Sequence, residues 1–337
     1  MRWNNLALAN CAELSPTPAG QRPQRYPGPV IAALSERGRI AAVKPANVEL
    51  RWVPNDPAAE VEITLASKGL TKAAAFFGAF VHGDVDRIVS GEPVTLRLAP
   101  PERYGQLIDR LPRCNGFDPR VGRLMFWGDD LDLIDAVGDV RPPTPPELPA
   151  RRLLTYGTSI THGASCSAPH LTYPSQLARL LGMDLINLGL GGSCLCEPEV
   201  ADYIAGRGDW DVAVFALSVN MIGQGFSLDA FRERVAHLVH QAAATHPDKP
   251  MFCVTIWPYF ADLDRSLQPA ATAEPEAFRD ALRGVVADCP AGRVTLLEGP
   301  DLLADFAGLT TDLLHPSDLG FIEMAHRLAD AMRPAIG

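Results

Sequence analysis

The pattern of apolar and polar positions changes near the middle of the chain. Before residue 141 the apolar side chains come in short alternating runs. Val48-Glu49-Leu50-Arg51-Trp52, Val61-Glu62-Ile63-Thr64-Leu65 and Val94-Thr95-Leu96-Arg97-Leu98 each place every second residue on one face. A period of two predicts half-buried strands. Asn55-Asp56-Pro57 reads as a turn between the first two. A longer apolar run over residues 73–81 ends at His82-Gly83-Asp84, a further turn signal, and another strand is predicted around Phe126 and Trp127. Prolines 16, 18, 23, 27 and 29 break any long helix at the start. Short strands with turns at this spacing predict a β-sandwich of the jelly-roll or carbohydrate-binding-module kind. Trp52, Phe126 and Trp127 are candidates for stacking on a ring, although core packing is the commoner fate of a strand aromatic.

Residues 141–150 hold five prolines in ten positions, which predicts an extended, semi-rigid spacer. Beyond it the runs become continuous. Strands are predicted at residues 152–156, 183–188, 211–217, 251–257 and 293–297. Helices are predicted at residues 173–181, 197–204, 228–244, 277–286 and 318–332. Wholly apolar strands alternating with helices imply a parallel sheet covered on both faces. The expected organisation is therefore a β-sandwich over residues 1–145, accessory or substrate-binding, followed by a three-layer α/β/α unit over residues 146–337.

The chain carries a net charge of −10 with no Lys/Arg cluster, so nucleic acid and anionic membrane are not expected partners. Its apolar runs are strand-sized, and the first residues lack a continuous apolar signal-peptide core. Seven cysteines, odd in number and irregularly spaced, suggest free thiols in a reducing cytoplasm. Cys194-Leu195-Cys196 does not match zinc spacing, and His237 and His240 lack partners at a ligand interval, so no metal is expected.

The chemistry gathers at strand ends, where ligands of open parallel sheets bind. In Leu153-Leu154-Thr155-Tyr156-Gly157-Thr158-Ser159 an apolar run is broken by glycine, and a serine stands on the turn before a helix-compatible segment. Unpaired N–H groups there suit a developing oxyanion. Asp312-Leu313-Leu314-His315-Pro316 adds an acid and an imidazole on one loop. Ser159, His315 and Asp312 are thus the parts of a nucleophilic triad. Each alone has a plainer reading: a helix cap, a turn residue, a loop acid. Gly192 and Asn220, which also follow predicted strands, read singly as turn formers.

Four blocks together resemble the SGNH (GDSL) hydrolase superfamily. They are Tyr156-Gly157-Thr158-Ser159-Ile160-Thr161, Asn187-Leu188-Gly189-Leu190-Gly191-Gly192, Ser218-Val219-Asn220-Met221 and Asp312-Leu313-Leu314-His315-Pro316. They occur in family order across residues 152–334. The α/β-hydrolase fold fits less well, because the second glycine of its Gly-x-Ser-x-Gly elbow is missing. Thr158 replaces the usual aspartate of Gly-Asp-Ser, and Ser218 and Met221 replace the ends of Gly-x-Asn-Asp. The resemblance implies a flavodoxin-like catalytic unit in a two-domain branch that contains carbohydrate-directed esterases and natural-product acyltransferases. It implies Ser159 as nucleophile, His315 as base and Asp312 as its orienter. The oxyanion would be held by the N–H of Ser159, the N–H of Gly192 and the Asn220 amide, with Gly189 and Gly191 alternatives to Gly192. The expected partners are a small-molecule acyl ester or thioester donor and, for transfer, an acceptor alcohol; no organic cofactor is implied. A carbohydrate-binding protein with a vestigial hydrolase unit is the reading from another class. Cys166, Cys194, Cys196, His162 and Trp257 lie near the site loops in sequence, with packing as plausible a role as substrate contact.

Overall fold

A computed structural model describes residues 1–56, 59–88 and 91–337. Twelve strands among these residues precede the proline run. They are β1 (Arg2–Trp3), β2 (Leu6–Ala9), β3 (Glu13–Pro16), β4 (Gln21–Gln24), β5 (Glu49–Pro54), β6 (Val61–Ser67), β7 (Thr71–Phe77), β8 (Phe80–Ile88), β9 (Val94–Leu98), β10 (Gly122–Gly128), β11 (Leu131–Val137) and β12 (Val140–Arg141). One seven-stranded antiparallel sheet runs β1-β2-β5-β10-β7-β8, with β12 also paired to β5; a five-stranded sheet runs β3-β4-β11-β6-β9. Their inner faces share one core, in which Val61, Ile63 and Leu65 of β6 meet Leu50, Trp52, Leu124 and Phe126. The alternation along β6 is therefore the sandwich face, as its sequence implies. Trp52 and Phe126 are spent on this core.

His82-Gly83-Asp84 does not turn the chain. The hairpin reverses earlier, at Gly78 and Ala79 between β7 and β8. Gly78 has φ +56, and a Cβ there would lie 2.9 Å from Pro119 Cα. Gly83, at φ +66, falls instead where the β7–β8 register shifts between Ala73 and Ala75, so its freedom serves a bulge rather than a turn. Of the turn expected at Asn55-Asp56-Pro57, Pro57 lies outside the described residues.

Five parallel strands follow: β13 (Arg152–Gly157), β14 (Asp184–Asn187), β15 (Val212–Ala216), β16 (Met251–Val254) and β17 (Val294–Leu297), in the order β14-β13-β15-β16-β17. This is the flavodoxin-like order, whose switch point lies beside the first strand. Helices Tyr173–Leu181 and Asp318–Ile336 pack on one face of the sheet. Helices Pro198–Gly206, Leu228–Thr245 and Pro275–Ala287 cover the other. No helix among the described residues is long and apolar enough to cross a membrane.

The segment between β4 and β5 leaves the sandwich. Its two short helices, Gly28–Ala33 and Glu36–Ala42, lie against the parallel-sheet unit, and Tyr26, Leu34, Ala41 and Ala42 join that unit's core. Polar side chains tie the units further. Arg51 donates twice to Asp184, at 2.8 and 2.5 Å, and once to Glu49, which also binds Arg123; all four are buried. The proline run is not a free spacer. Arg141 pairs with Glu147, which also caps the Pro145–Glu147 turn, and Arg113 donates to the carbonyls of Pro146 and Leu148. Proline leaves its carbonyl as an acceptor, and these guanidinium groups use it.

Candidate active site

β13 delivers Ser159 to its position. A side chain at Gly157 would collide with Thr161 Oγ1 at 2.2 Å and with the Ala216 carbonyl at 2.5 Å, so only glycine lets β13 end this close to β15. The Thr158 hydroxyl then caps the following turn by accepting the N–H of Ile160, and Ser159 opens helix Ser159–His162. Thr158 thus does local structural work where an aspartate was the expected residue.

Ser159 Oγ lies 2.8 Å from His315 Nε2, and His315 Nδ1 lies 2.7 Å from Asp312 Oδ2. The other carboxylate oxygen, Oδ1, accepts the N–H groups of Leu314 and His315, each at 2.9 Å, and the Thr310 hydroxyl at 2.8 Å. Burial raises the Asp312 carboxyl, but these donors outweigh it and hold the group well below the usual carboxylate range. Asp312 is therefore an anion aimed at Nδ1, which leaves Nε2 free to exchange a proton with Ser159.

The Asn187–Gly192 loop stands on the other side of the serine. Its Gly189 N–H is spent on Asn187 Oδ1 at 2.8 Å. Ser193 N–H closes a turn onto Leu190 O, with Gly192 at φ +70 in the third position, where a type II turn requires glycine. Gly191 faces the nucleophile: a Cβ there would lie 3.9 Å from Ser159 Cβ. The peptide joining Gly191 to Gly192 thus borders Ser159. The N–H groups of Ser159, Gly191 and Gly192 make no internal hydrogen bond among the described residues. Asn220 approaches from the turn after β15. Its Oδ1 accepts the Cys194 N–H at 3.1 Å, which fixes the amide flip and leaves its NH2 to donate elsewhere.

A cleft of about 440 Å³ opens beside Ser159, His162 and Gly191. Ala164 also lines it, and the rest of its wall comes from the N-terminal part, including Arg37, Ile40, Lys44, Leu70, Trp127 and Asp129. Sequence reasoning found Trp127 and His162 but had no signal for Arg37, Lys44 or Asp129, which lie far from the blocks in sequence. It also missed Arg25 and Thr310. Cys166, Cys194, Cys196 and Trp257 are buried in the hydrophobic cores. Among the described residues no group of His, Cys, Asp and Glu is placed to hold a metal ion.

No curated protein matches the chain in sequence. Solved structures resemble it over both units. A candidate GDSL-like lipase from Bacteroides ovatus superposes with a TM-score of 0.70 at 18% identity, covering 98% of this chain and 96% of the other. The salicylyl-acyltransferase SsfX3 of a tetracycline biosynthetic pathway gives 0.73 at 15% identity, over 98% and 94%. A family two carbohydrate esterase from Clostridium thermocellum gives 0.60 at 17% identity, over 86% and 92%. At such identities the likeness is one of fold. Sequence goes further, because the profile of the GDSL-like lipase/acylhydrolase family matches residues 150–336, and the chain belongs to that family.

Proposed function

We propose that the protein is a serine esterase that cleaves an O-acyl ester of a small molecule through an acyl-Ser159 intermediate. The observation that carries this reading is the unbroken chain from Ser159 Oγ to His315 Nε2 and from His315 Nδ1 to Asp312. Ser159 Oγ attacks the ester carbonyl carbon while its proton passes to His315 Nε2. The tetrahedral oxyanion takes hydrogen bonds from the N–H of Ser159, the N–H of Gly192 and the Asn220 NH2. Each such donor is worth about 2.7–4 kcal/mol of barrier. Collapse breaks the bond to the leaving alcohol, which receives the proton from His315. Water, deprotonated by the same imidazole, then attacks the acyl-serine and releases the acid. Asp312 holds the imidazole tautomer and stabilises the imidazolium without taking the proton.

A second reading, transfer of the acyl group from an ester or thioester to an acceptor hydroxyl, is favoured by one observation. The nucleophile does not stand on an open strand end but in a cleft walled by Arg37, Lys44, Trp127 and Asp129. An acceptor seated there would compete with water. The same walls support an accessory, substrate-binding role for residues 1–145 beside a catalytic unit at residues 146–337. The hydrogen-bonded triad argues against a vestigial hydrolase. The seven free cysteines support a cytoplasmic location.

Intact mass spectrometry tests the nucleophile. A fluorophosphonate should add one equivalent to the wild type and none to Ser159→Ala; labelling that persists in the variant refutes the assignment. Incubation with acyl donors, with and without alcohols, then separates release as acid from transfer.

A further inference from the structure

We infer that the substrate carries an anionic group, a carboxylate or a phosphate, held by Arg37 in the Ser159 cleft. The inference rests on Ser159 being the nucleophile. Four ionisable side chains line the cleft: Arg37, Lys44, Asp129 and His162. Lys44 Nζ and Asp129 Oδ1 are 2.9 Å apart and cancel. His162 is buried and neutral at ordinary pH. Arg37 is exposed and makes no hydrogen bond or ion pair among the described residues.

Among the described residues Arg2, Arg103 and Arg110 likewise lack such a partner, but none of them lines the cleft. Acidic residues number 40 against 30 Lys and Arg, so a surface cation has carboxylates in excess to choose from. Arg120, Arg283 and Arg333 all take them. Arg37 instead runs along the loop beside the nucleophile. A Cβ on Gly192 would lie 3.6 Å from Arg37 Cδ, and the neighbouring Gly191 is the glycine that faces Ser159. Arg37 thereby lines the same cleft as Ser159, with all its donors available.

A second cation lies beneath the same loop. Arg25 is 1% exposed, and its hydrogen-bond partners are carbonyls and the His162 ring, never a carboxylate. The facing anion, Asp312, is engaged with His315 on the other side of Ser159. The cleft is therefore locally positive in a protein of net charge −10. A planar guanidinium matches carboxylate or phosphate oxygens two at a time, and a cleft of one sign concentrates ligands of the other. A neutral ester would leave this donor set unused.

The anion can sit on the acyl part or on the alcohol part, and paired esters separate the two. The acyl pair is 4-nitrophenyl hydrogen adipate against 4-nitrophenyl hexanoate. The alcohol pair is 4-acetoxybenzoate against its methyl ester. The readout is the ratio of kcat/KM for the anionic over the neutral member, with live sites counted by fluorophosphonate titration. In at least one pair the wild-type ratio should fall about tenfold in Arg37→Gln, the worth of one charge-assisted hydrogen bond. It should recover in part in Arg37→Lys and fall furthest in Arg37→Glu. Raising sodium chloride should lower the wild-type ratio, since the contact is partly exposed. Ratios that ignore both Arg37 and salt in both pairs overturn the inference, provided that turnover still requires Ser159. Turnover that survives Ser159→Ala would instead overturn the nucleophile assignment beneath it.

Discussion

The guanidinium of Arg25 lies 3.4 Å from Nδ1 of His162, and among the described residues no carboxylate pairs with either group. The Gly189 carbonyl stands 3.2 Å from the same nitrogen. One Nδ1 cannot accept from Arg25 and donate to Gly189 at once, so it serves one of them while the ring stays uncharged. Burial, and then the Arg25 charge, push the His162 pKa down to about 3. The two histidines beside Ser159 are thus set apart: His315 faces an anion, whereas His162 faces a cation.

This difference predicts a specific acid sensitivity. In the unfolded chain His162 binds a proton near the ordinary value of ~6.5. Folded, it does so only near about 3. Between those values the unfolded state holds more protons, so stability is full above the upper one and declines as pH falls through the interval. From pH 7 to pH 5 the loss from this group alone is about 2 kcal/mol. Unfolding free energies of the wild type and His162→Gln, from denaturant titration, should therefore converge by that amount between pH 7 and pH 5. A gap independent of pH would show that His162 protonates freely in the fold.

Asp312→Asn should cost activity through a tautomer. The amide oxygen of the new side chain could keep the three donors now held by Asp312 Oδ1, which turns the new NH2 toward His315 Nδ1. Nδ1 would then accept, the ring proton would move to Nε2, and the base facing Ser159 would be lost. The expected fall in kcat on a nitrophenyl ester is on the order of 10³-fold, somewhat less than the ~10⁴ of a buried triad. The smaller figure reflects an Asp312 side chain that is 48% exposed, so water can replace part of its role. His315→Ala and the double variant should be nearly equal, because the two residues act as a unit. Losses that simply multiply would separate them mechanistically.

Much of this site was legible in the sequence because each block follows a strand whose residues are apolar throughout. Val212–Ala216, for example, is buried on both faces, so its end had to meet the carboxyl edge of a parallel sheet. Ser159 and Asn220 sit within a few residues of such ends. What ties the N-terminal segment to the loop beside the cleft was not legible. Asn10, Arg25 and Asn47 are isolated polar residues in loops, and all three reach Asn187, a position some 140 to 177 residues away. No periodicity reports a contact between a guanidinium and a distant backbone carbonyl. His82-Gly83-Asp84 misled for a local reason: glycine at positive φ marks a bulge as readily as a turn.

Ser218 offers a test of strain. It precedes Asn220 at φ +113, outside the range side-chain-bearing residues prefer, and its buried hydroxyl has no partner among the described residues. Glycine adopts such a backbone without steric cost, although it loses more entropy on folding. The strain is the larger effect, so Ser218→Gly should stabilise the protein by about 1 kcal/mol. Ser218→Ala removes only the hydroxyl and keeps the strained φ, and should fall short of glycine. A lower melting temperature for Ser218→Gly would mean that the strain is absent.

Arg25 acts as a positioning residue for the loop beside Ser159. Its guanidinium holds the Asn187 and Gly189 carbonyls at 3.0 and 2.9 Å, and on its other side the Lys44 and Ala41 carbonyls, each at 2.8 Å. It pins the loop that carries Gly191 and Gly192 to the segment that carries Arg37. Lysine retains the charge but cannot fork to four carbonyls. Arg25→Lys should therefore fold with a looser oxyanion loop. We expect kcat on a small nitrophenyl ester to fall by about 10- to 100-fold with KM little changed, as when transition-state contacts alone are lost. Mere destabilisation has to be separated from this effect. Arg51→Lys provides the comparison, because Arg51 bridges the same two units through Asp184 but lines a different cavity. It should lower the melting temperature without a matching fall in kcat. If both variants lose kcat in proportion to stability, Arg25 only joins the units. If Arg25→Lys alone loses it, the N-terminal segment sets the geometry in which Ser159 works, and a fragment of residues 146–337 should be slow even on a small ester.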